Sequence, residues 1–357
     1  MIERLARLRE HMAAAACDAF VSVSPPANQY LAAFTGSTSA IIVTANDALF
    51  LCDFRYTEQA RDQVRGFTIE QVDGALEKTA GERLAKLGAK RAAFDPAVVT
   101  VAQHARLCDA FGGALEPLAD IVASLRRVKD QAEIQRIREA VRLSEDVLAA
   151  LVDGLEEGVR ERELAARFEY EFKRRGATDA SFPTITLFGE HSSVVHGEPG
   201  ERALEEGDIV LLDFGCRLDG YCSDLTRTYA FGRIPGSWFE EVYLLTLNAQ
   251  QQALGAIRPG MTCRDLDAVA RSVIENAGYG DRFGHGLGHG VGIEVHEEPR
   301  LHKTSEDVLR EGTVITIEPG IYLPGRGGVR IEDLVVVSSK GCDCLSSAPK
   351  ELRILET

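Results

Sequence analysis

The chain has 357 residues, 45% of them hydrophobic, with 55 acidic against 40 basic side chains and a formal net charge of -15 at pH 7. That length exceeds what one core of ~250 to 300 residues supports, so two domains are expected. No apolar run approaches the ~18 residues that span a bilayer, and the negative charge repels nucleic acid and anionic lipid.

The first segment, MIERLARLREHMAAAA, mixes acids and bases at helical spacing, whereas a secretory leader sets a basic stretch before ~7 to 15 apolar residues. It predicts a first helix and a cytoplasmic protein. Cys17, Cys52, Cys108, Cys216, Cys222 and Cys263 stand singly, and Cys342 and Cys344 form no CxxC pair, so reduced, mostly buried thiols are expected.

Short strand-like segments (DAFVSV, SAIIVT, ALFLCD, RAAFD) then alternate with helix-like ones (TEQARDQV, LEKTAGERLAKLG, VAQHARLCDAF), which predicts an α/β domain over residues 1–124. Next, Ile134, Ile137, Val141, Leu148 and Leu151 recur at intervals of three, four and seven, the stripe of an amphipathic helix. The boundary falls just before it, near Leu125, and a second domain occupies 125–357.

That second region repeats itself weakly over about one hundred residues. Gly158 opens GVRERELAA and Gly176 closes it; Gly260 opens GMTCRDLDA and Gly278 closes it, so each copy reads as a capped helix with a glycine stop. Val195-His196-Gly197-Glu198-Pro199 is answered by Val295-His296-Glu297-Glu298-Pro299. EGDIVLLDFG, ending at Gly215, is answered by EGTVITIEPG, ending at Gly320, which sets Asp213 opposite Glu318. Two α+β halves related by a pseudo-twofold are expected, with a site at their seam.

Asp213 interrupts an otherwise apolar strand, a costly position unless something positive meets it. Asp219-Gly220 is a strong hairpin signal. With Leu218 paired to Tyr221, Asp213 lies opposite Thr226, and Asp224 lies two residues away on the same face. A second hairpin around Pro324 to Gly328, with Leu323 paired to Val329, sets Gly320 opposite Glu332 and Glu318 diagonally beside it. Four carboxylates then converge. They cannot all stay ionised in a dry site without cations, and carboxylates with one imidazole suit manganese, iron or cobalt. Taken singly, each acid also reads as solvated or paired with Arg217, Arg227 or Arg330.

The imidazole comes from Phe283 to Gly290, where four glycines forbid a stable helix and exclude an HExxH zinc helix. Spacing leaves both His285 and His289 open as the ligand. Five of the eight histidines fall in 191–196 and 285–296; His196, His289 and His296 read as functional, and His191 and His285 stay open.

Together DFG, SDLTRT, HGLGHGVGIEVHEEPR, TIEPGIY and GVRIEDL closely resemble the proline-specific metallopeptidases of the pita-bread fold, the Xaa-Pro dipeptidases (prolidases) and Xaa-Pro aminopeptidases. The likeness spans roughly residues 125–350, and the region containing LCDFRYTEQA resembles the creatinase-type N-terminal domain of the same family. The resemblance implies a creatinase-like α/β domain followed by a pita-bread catalytic domain holding two divalent ions, manganese foremost, with cobalt, iron or zinc as alternatives. It implies that Asp213 and Asp224 bind one metal bidentately or bridge, that His289 completes the second, and that Glu318 and Glu332 bridge the pair. It further implies that His196 and His296 contact substrate and that Arg300 helps hold it; in a mechanism built on that set, Glu318 is the candidate to accept a proton from water and His296 stabilises the oxyanion. Short proline-containing peptides and a homodimer follow from the same likeness.

The family's proline before the first of these histidines is replaced here by Val195, which alters the pocket and leaves His196. Two alternatives share the architecture: a non-catalytic peptide-binding relative and a metal-free creatinase-like amidinohydrolase. The intact ligand set argues against both. A methionine aminopeptidase would ordinarily lack the N-terminal domain. Dipeptidase and aminopeptidase are not separated by the sequence.

Overall fold

The computed structural model describes residues 2–356, and the chain divides into two compact units, one ending at Arg126 and the other beginning at Arg127. Among the described residues no helix is long and apolar enough to cross a membrane.

The first unit runs α1 (Ile2–Ala14), β1 (Ala19–Ser22), α2 (Pro25–Ala32), β2 (Ala40–Thr44), β3 (Ala48–Cys52), α3 (Thr57–Gln63), β4 (Thr68–Gln71), α4 (Leu76–Lys86), β5 (Arg91–Phe94), α5 (Val101–Phe111), β6 (Ala114–Pro117) and α6 (Ala123–Arg126). Its sheet has the order β4-β3-β2-β1-β5-β6. Val21, Ile42, Leu51, Leu84, Phe94, Leu107 and Phe111 form its core. The edge strands β4 and β6 have no clear signature in the sequence, because each is only four residues long and half exposed and neither carries an apolar run.

The second unit begins with α7 (Gln131–Val152), capped by reciprocal bonds between Asp130 and Glu133 and burying Ile134, Ile137, Val141 and Leu148. There follow α8 (Glu161–Arg174), β7 (Asp179–Ala180), β8 (Ile185–Phe188), β9 (Ile209–Phe214), β10 (Cys216–Leu218), β11 (Tyr221–Cys222) and β12 (Leu225–Phe231). Then come α9 (Ser237–Ala256), α10 (Cys263–Asn276), β13 (Gly288–Gly290), β14 (Glu297–Leu301), β15 (Val314–Ile317), β16 (Gly320–Leu323), β17 (Gly327–Arg330), β18 (Asp333–Ser338), β19 (Gly341–Cys344) and β20 (Ile354–Leu355).

The repeat is visible in this order. Two helices lead into a sheet in which β9 lies between β8 and β12, and two more lead into a sheet in which β15 lies between β13 and β18. Gly176 and Gly278 follow α8 and α10 at φ of 105° and 87°, the left-handed stop that glycine adopts without a Cβ clash. The two histidine motifs part after the histidine: Val195-His196 and Val295-His296 both lie in bends or turns, but Gly197 to Pro199 form no strand whereas Glu297 opens β14.

The first hairpin has the expected register, with Leu218 opposite Tyr221 and Thr226 opposite Asp213. Asp219 and Gly220 both have positive φ, as a two-residue primed turn demands. The second hairpin departs from expectation by two residues. Leu323 pairs with Gly327, not Val329, and Gly320 pairs with Arg330, not Glu332. The turn is shorter, closed by Arg326 N donating to Leu323 O at 2.9 Å, with Gly325 at φ 74° and Gly327 at φ 142°. Side chains alternate with period two, so the shift preserves which face each residue occupies. Ile317 pairs with Asp333 in the same register, which brings Glu318 directly across from Glu332 rather than diagonal to it.

Candidate metal centre

Asp213, Asp224 and Glu332 each offer an oxygen, and these atoms lie within 4.8 Å of one another. Asp213 is near the end of β9, Asp224 just precedes β12 and Glu332 just precedes β18. The approach of Asp213 and Asp224 depends on Gly215, where a Cβ would lie 2.0 Å from Ser223 O. Cys216 N donates to Ser223 Oγ at 2.9 Å and holds that crossing closed. Thr226, facing Asp213, donates its hydroxyl to Glu332 Oε2 at 2.8 Å. Thr316 donates to Glu318 Oε1 at 3.3 Å and accepts from His289 N at 3.0 Å.

His289 reaches the acids: its Nε2 is 3.5 Å from Asp224 Oδ2 and 3.4 Å from Glu318 Oε1. Its Nδ1 lies 3.1 Å from Gly290 O, and a proton on Nδ1 donated there leaves the Nε2 lone pair directed at the carboxylates. Gly288 makes this possible, since a Cβ there would meet Thr316 O at 2.2 Å and hold β13 away from β15. His285 turns elsewhere, with Nδ1 2.8 Å from Gly286 O and Nε2 2.9 Å from Tyr322 Oη.

The electrostatics are those of carboxylates crowded out of water. Burial, then the charges of Glu332, Asp213 and Glu318, drives Asp224 well above the ordinary carboxylate range. Burial, then Glu318 and Asp213, does the same to Glu332. Burial lifts Glu318 to about 8 against the opposing pull of Arg330. The His289 imidazole is pushed down to about 4 by burial and by His296.

One buried arginine enters the cluster. Arg330 Nη2 is 2.6 Å from Asp213 Oδ2, Nε donates to Thr226 Oγ1 at 3.0 Å and Nη1 to Tyr322 Oη at 2.9 Å. Arg330 is thus the arginine that pairs with a site acid. Arg227 instead binds Asp333 at 2.9 Å. A single guanidinium cannot balance four carboxylates. Asp213 Oδ1, also buried, has no hydrogen-bond partner among the described residues. An orphaned carboxylate oxygen inside an oxygen-rich set with one imidazole fits hard or borderline divalent cations.

Around this centre, the His296 ring stands 4.3 Å from the His289 ring, and its pKa is lowered by burial and by the charges of His196 and Arg300. Arg300 pairs with His289 across the β13–β14 ladder, its side chain 79% exposed and its Nε 3.8 Å from Glu298 Oε1. His191 lies apart from the acids, its Nδ1 2.9 Å from both oxygens of the buried Glu161, which also accepts from Phe188 N and Gly200 N. The sequence reading missed the roles of Thr226, Thr316 and Tyr322, and gave Arg330 only as one of three possible ion-pair partners. Two signals were available: Thr226 faces Asp213 in the hairpin, and Arg330 lies two residues before Glu332. Nothing local distinguishes Thr316 or Tyr322 from ordinary strand residues.

Residues 135–339 match metallopeptidase family M24, and residues 4–128 match the creatinase/prolidase N-terminal domain. The chain belongs to metallopeptidase family M24, with the creatinase-type domain ahead of a pita-bread catalytic domain. It is similar to the Xaa-Pro dipeptidase from Bacillus anthracis, at 37% identity and a TM-score of 0.96 over 99% of each chain. It is also similar to the X-Pro aminopeptidase from Thermotoga maritima MSB8, at 36% identity and a TM-score of 0.90 over 95% of this chain and 98% of that one. Xaa-Pro dipeptidase of Pyrococcus furiosus is 44% identical over 233 residues, 65% of this chain and 67% of its own.

Proposed function

We propose that this chain hydrolyses the Xaa-Pro bond at the N-terminus of dipeptides or short peptides, with two divalent metal ions held by Asp213, Asp224, His289, Glu318 and Glu332. The observation that carries the metal reading is Asp213 Oδ1, a buried carboxyl oxygen with no hydrogen-bond partner among the described residues, inside a set of acids that cannot all ionise together. Manganese is the favoured ion, since the set is four carboxylates and one imidazole; cobalt, iron and zinc are alternatives. Divalent ions bound there supply Lewis acidity, which lowers the pKa of water and polarises a carbonyl.

The chain's own groups then have distinct tasks. Glu318, 18% exposed and with Oε1 3.4 Å from His289 Nε2, accepts a proton from the attacking water. His296, held neutral beside the centre, donates to the oxyanion that develops on the scissile carbonyl. His196 and the exposed Arg300 bind the substrate beyond it. The tertiary Xaa-Pro amide has no N–H and carries a ring, so a pocket shaped to that ring orients this amide and leaves secondary amides misplaced. A homodimer in the cytoplasm belongs to the same proposal, supported by the family resemblance and by scattered, unpaired cysteines.

The test compares kcat/KM of the manganese form on Ala-Pro and Ala-Pro-Ala against Ala-Ala and Ala-Ala-Ala. A strong preference for the proline peptides is expected. Equal rates on the alanine peptides rule out proline specificity and leave the metal hydrolase standing. Tripeptide cleavage as fast as dipeptide cleavage makes the enzyme an aminopeptidase.

A further inference from the structure

Glu297 follows His296 immediately and is the first residue of β14. Its carboxylate is buried. Oε2 lies 3.1 Å from Lys129 Nζ, and the two side chains are only 5% and 1% exposed. Oε1 accepts from Glu294 N at 3.1 Å, and Gly292 N in turn donates to Glu294 O at 3.0 Å. The segment from Gly290 to Glu297 therefore folds around this carboxylate so closely that a Cβ at Gly292 would sit 2.6 Å from Oε1. The same segment is tied to the metal-site hairpin through Cys222 N, which donates to Gly292 O at 2.8 Å, two residues before Asp224.

Lys129 is itself fixed. Its backbone N–H donates to Gly312 O at 2.9 Å, and the neighbouring Val128 bridges to Thr313, which adjoins β15. The ammonium thus reaches Glu297 from a stretch anchored at the opposite end of the strand that leads to Glu318. A buried ion pair is a poor stabiliser, because desolvation offsets much of the Coulombic gain; its effect is to favour one geometry over its neighbours.

We infer that Lys129 and Glu297 are positioning residues for His296, holding the segment 291–297 so that the imidazole meets the substrate carbonyl. The inference rests on the substrate-facing role given to His296 above. With the Glu297 side chain clamped and its backbone paired to Gly290, the residue before it has little backbone freedom left. Its ring direction is set by χ1 and χ2 and by contact with the His289 ring. Neither Lys129 nor Glu297 needs to touch substrate for this.

The test replaces the pair by apolar groups of similar volume, Lys129→Met with Glu297→Leu, which avoids leaving one charge buried alone. Lys129→Gln with Glu297→Gln, which also removes both charges, serves as a second variant should the apolar pair not fold. Manganese content by elemental analysis is expected to be unchanged, while kcat on Ala-Pro falls by roughly 10-fold or more, the scale of a small misplacement of a reacting group. In a His296→Ala background the same change is expected to lower kcat by less than about twofold, because residues acting through one another are not additive. Hydrogen exchange at the Gly292 and Glu294 amides is expected to quicken while that of α10 stays the same. Equal rate losses in both backgrounds, or unchanged exchange, overturn the inference. If the unaltered protein cleaves no Xaa-Pro peptide, the proposed function fails, and the exchange measurement still decides whether the ion pair anchors the His296 segment.

Discussion

Arg330 sets Nη2 2.6 Å from Asp213 Oδ2, and the other oxygen of Asp213 is buried without a partner among the described residues. The arginine orients the carboxylate through one oxygen and leaves the second free for a cation. Its three nitrogens meet three different side chains, Thr226, Tyr322 and Asp213, and Nη1 also donates to Val195 O at 3.4 Å.

Arg330→Lys keeps the charge and loses the planar fork, so a single ammonium cannot reach all three partners. Metal affinity is expected to fall about 10- to 100-fold, the usual cost of disturbing a group that orients a ligand. Titration of the metal-free protein with Mn²⁺ measures it. An unchanged dissociation constant would show that Asp213 is oriented without Arg330.

Chelation is expected to abolish peptidase activity, and Mn²⁺ or Co²⁺ to restore it. Asp213→Ala and Glu332→Ala should each lose bound metal along with rate, which elemental analysis checks. Full activity in protein stripped of metal would end the metallopeptidase reading.

Metal-free protein should also show a distinctive dependence on pH. Burial raises Asp224 and Glu332 well above their ordinary values and Glu318 to about 8, whereas it lowers His289 to about 4 and His285 to about 3. Between the unfolded carboxylate pKa of ~4 and the raised folded values, the folded state holds more protons than the unfolded chain, so stability falls as pH rises. The histidines act in the opposite direction, but only below their unfolded pKa of ~6.5. From pH 6.5 to 8 the carboxylates alone set the trend, and Glu318 by itself, with its folded pKa of about 8, is expected to cost on the order of 1–2 kcal/mol, read by denaturant titration. Metal binding at pH 7 should release protons, seen as buffer-dependent heats in calorimetry. Stability rising over that interval in metal-free protein would contradict the raised pKa values.

His296→Ala is expected to keep metal and fold and to lose roughly 10²-fold in rate, the size of a lost oxyanion or proton-transfer contact. His285→Ala, which gives up contacts to Tyr322 and Gly286 rather than to the acids, should do less. Steady-state kinetics with metal analysis separates the two. Equal effects, or loss of metal from His296→Ala, would remove the distinction between the two histidines.

Much of this protein was determined locally and could be read from sequence. The Asp219-Gly220 turn admits one tight closure, so it fixed the pairing of Asp213 with Thr226 at a distance of only a few residues along the chain. Buried acids in apolar strands, repeated a hundred or so residues apart, announced a charged site at the seam of two similar halves. The glycine-rich turn after Leu323 offers several closures, and packing selected the shorter one, moving the second hairpin by two residues. His285 and His289 have the same glycine neighbours. Their separate fates are decided by Tyr322 on one side and by Asp224 and Glu318 on the other, all brought in by other strands. The Lys129–Glu297 pair spans 168 residues and has no local signature at all. Turn chemistry and side-chain alternation act over a few residues, so sequence encodes them directly; which buried charge meets which partner depends on how distant segments pack, and only the tertiary structure decides it.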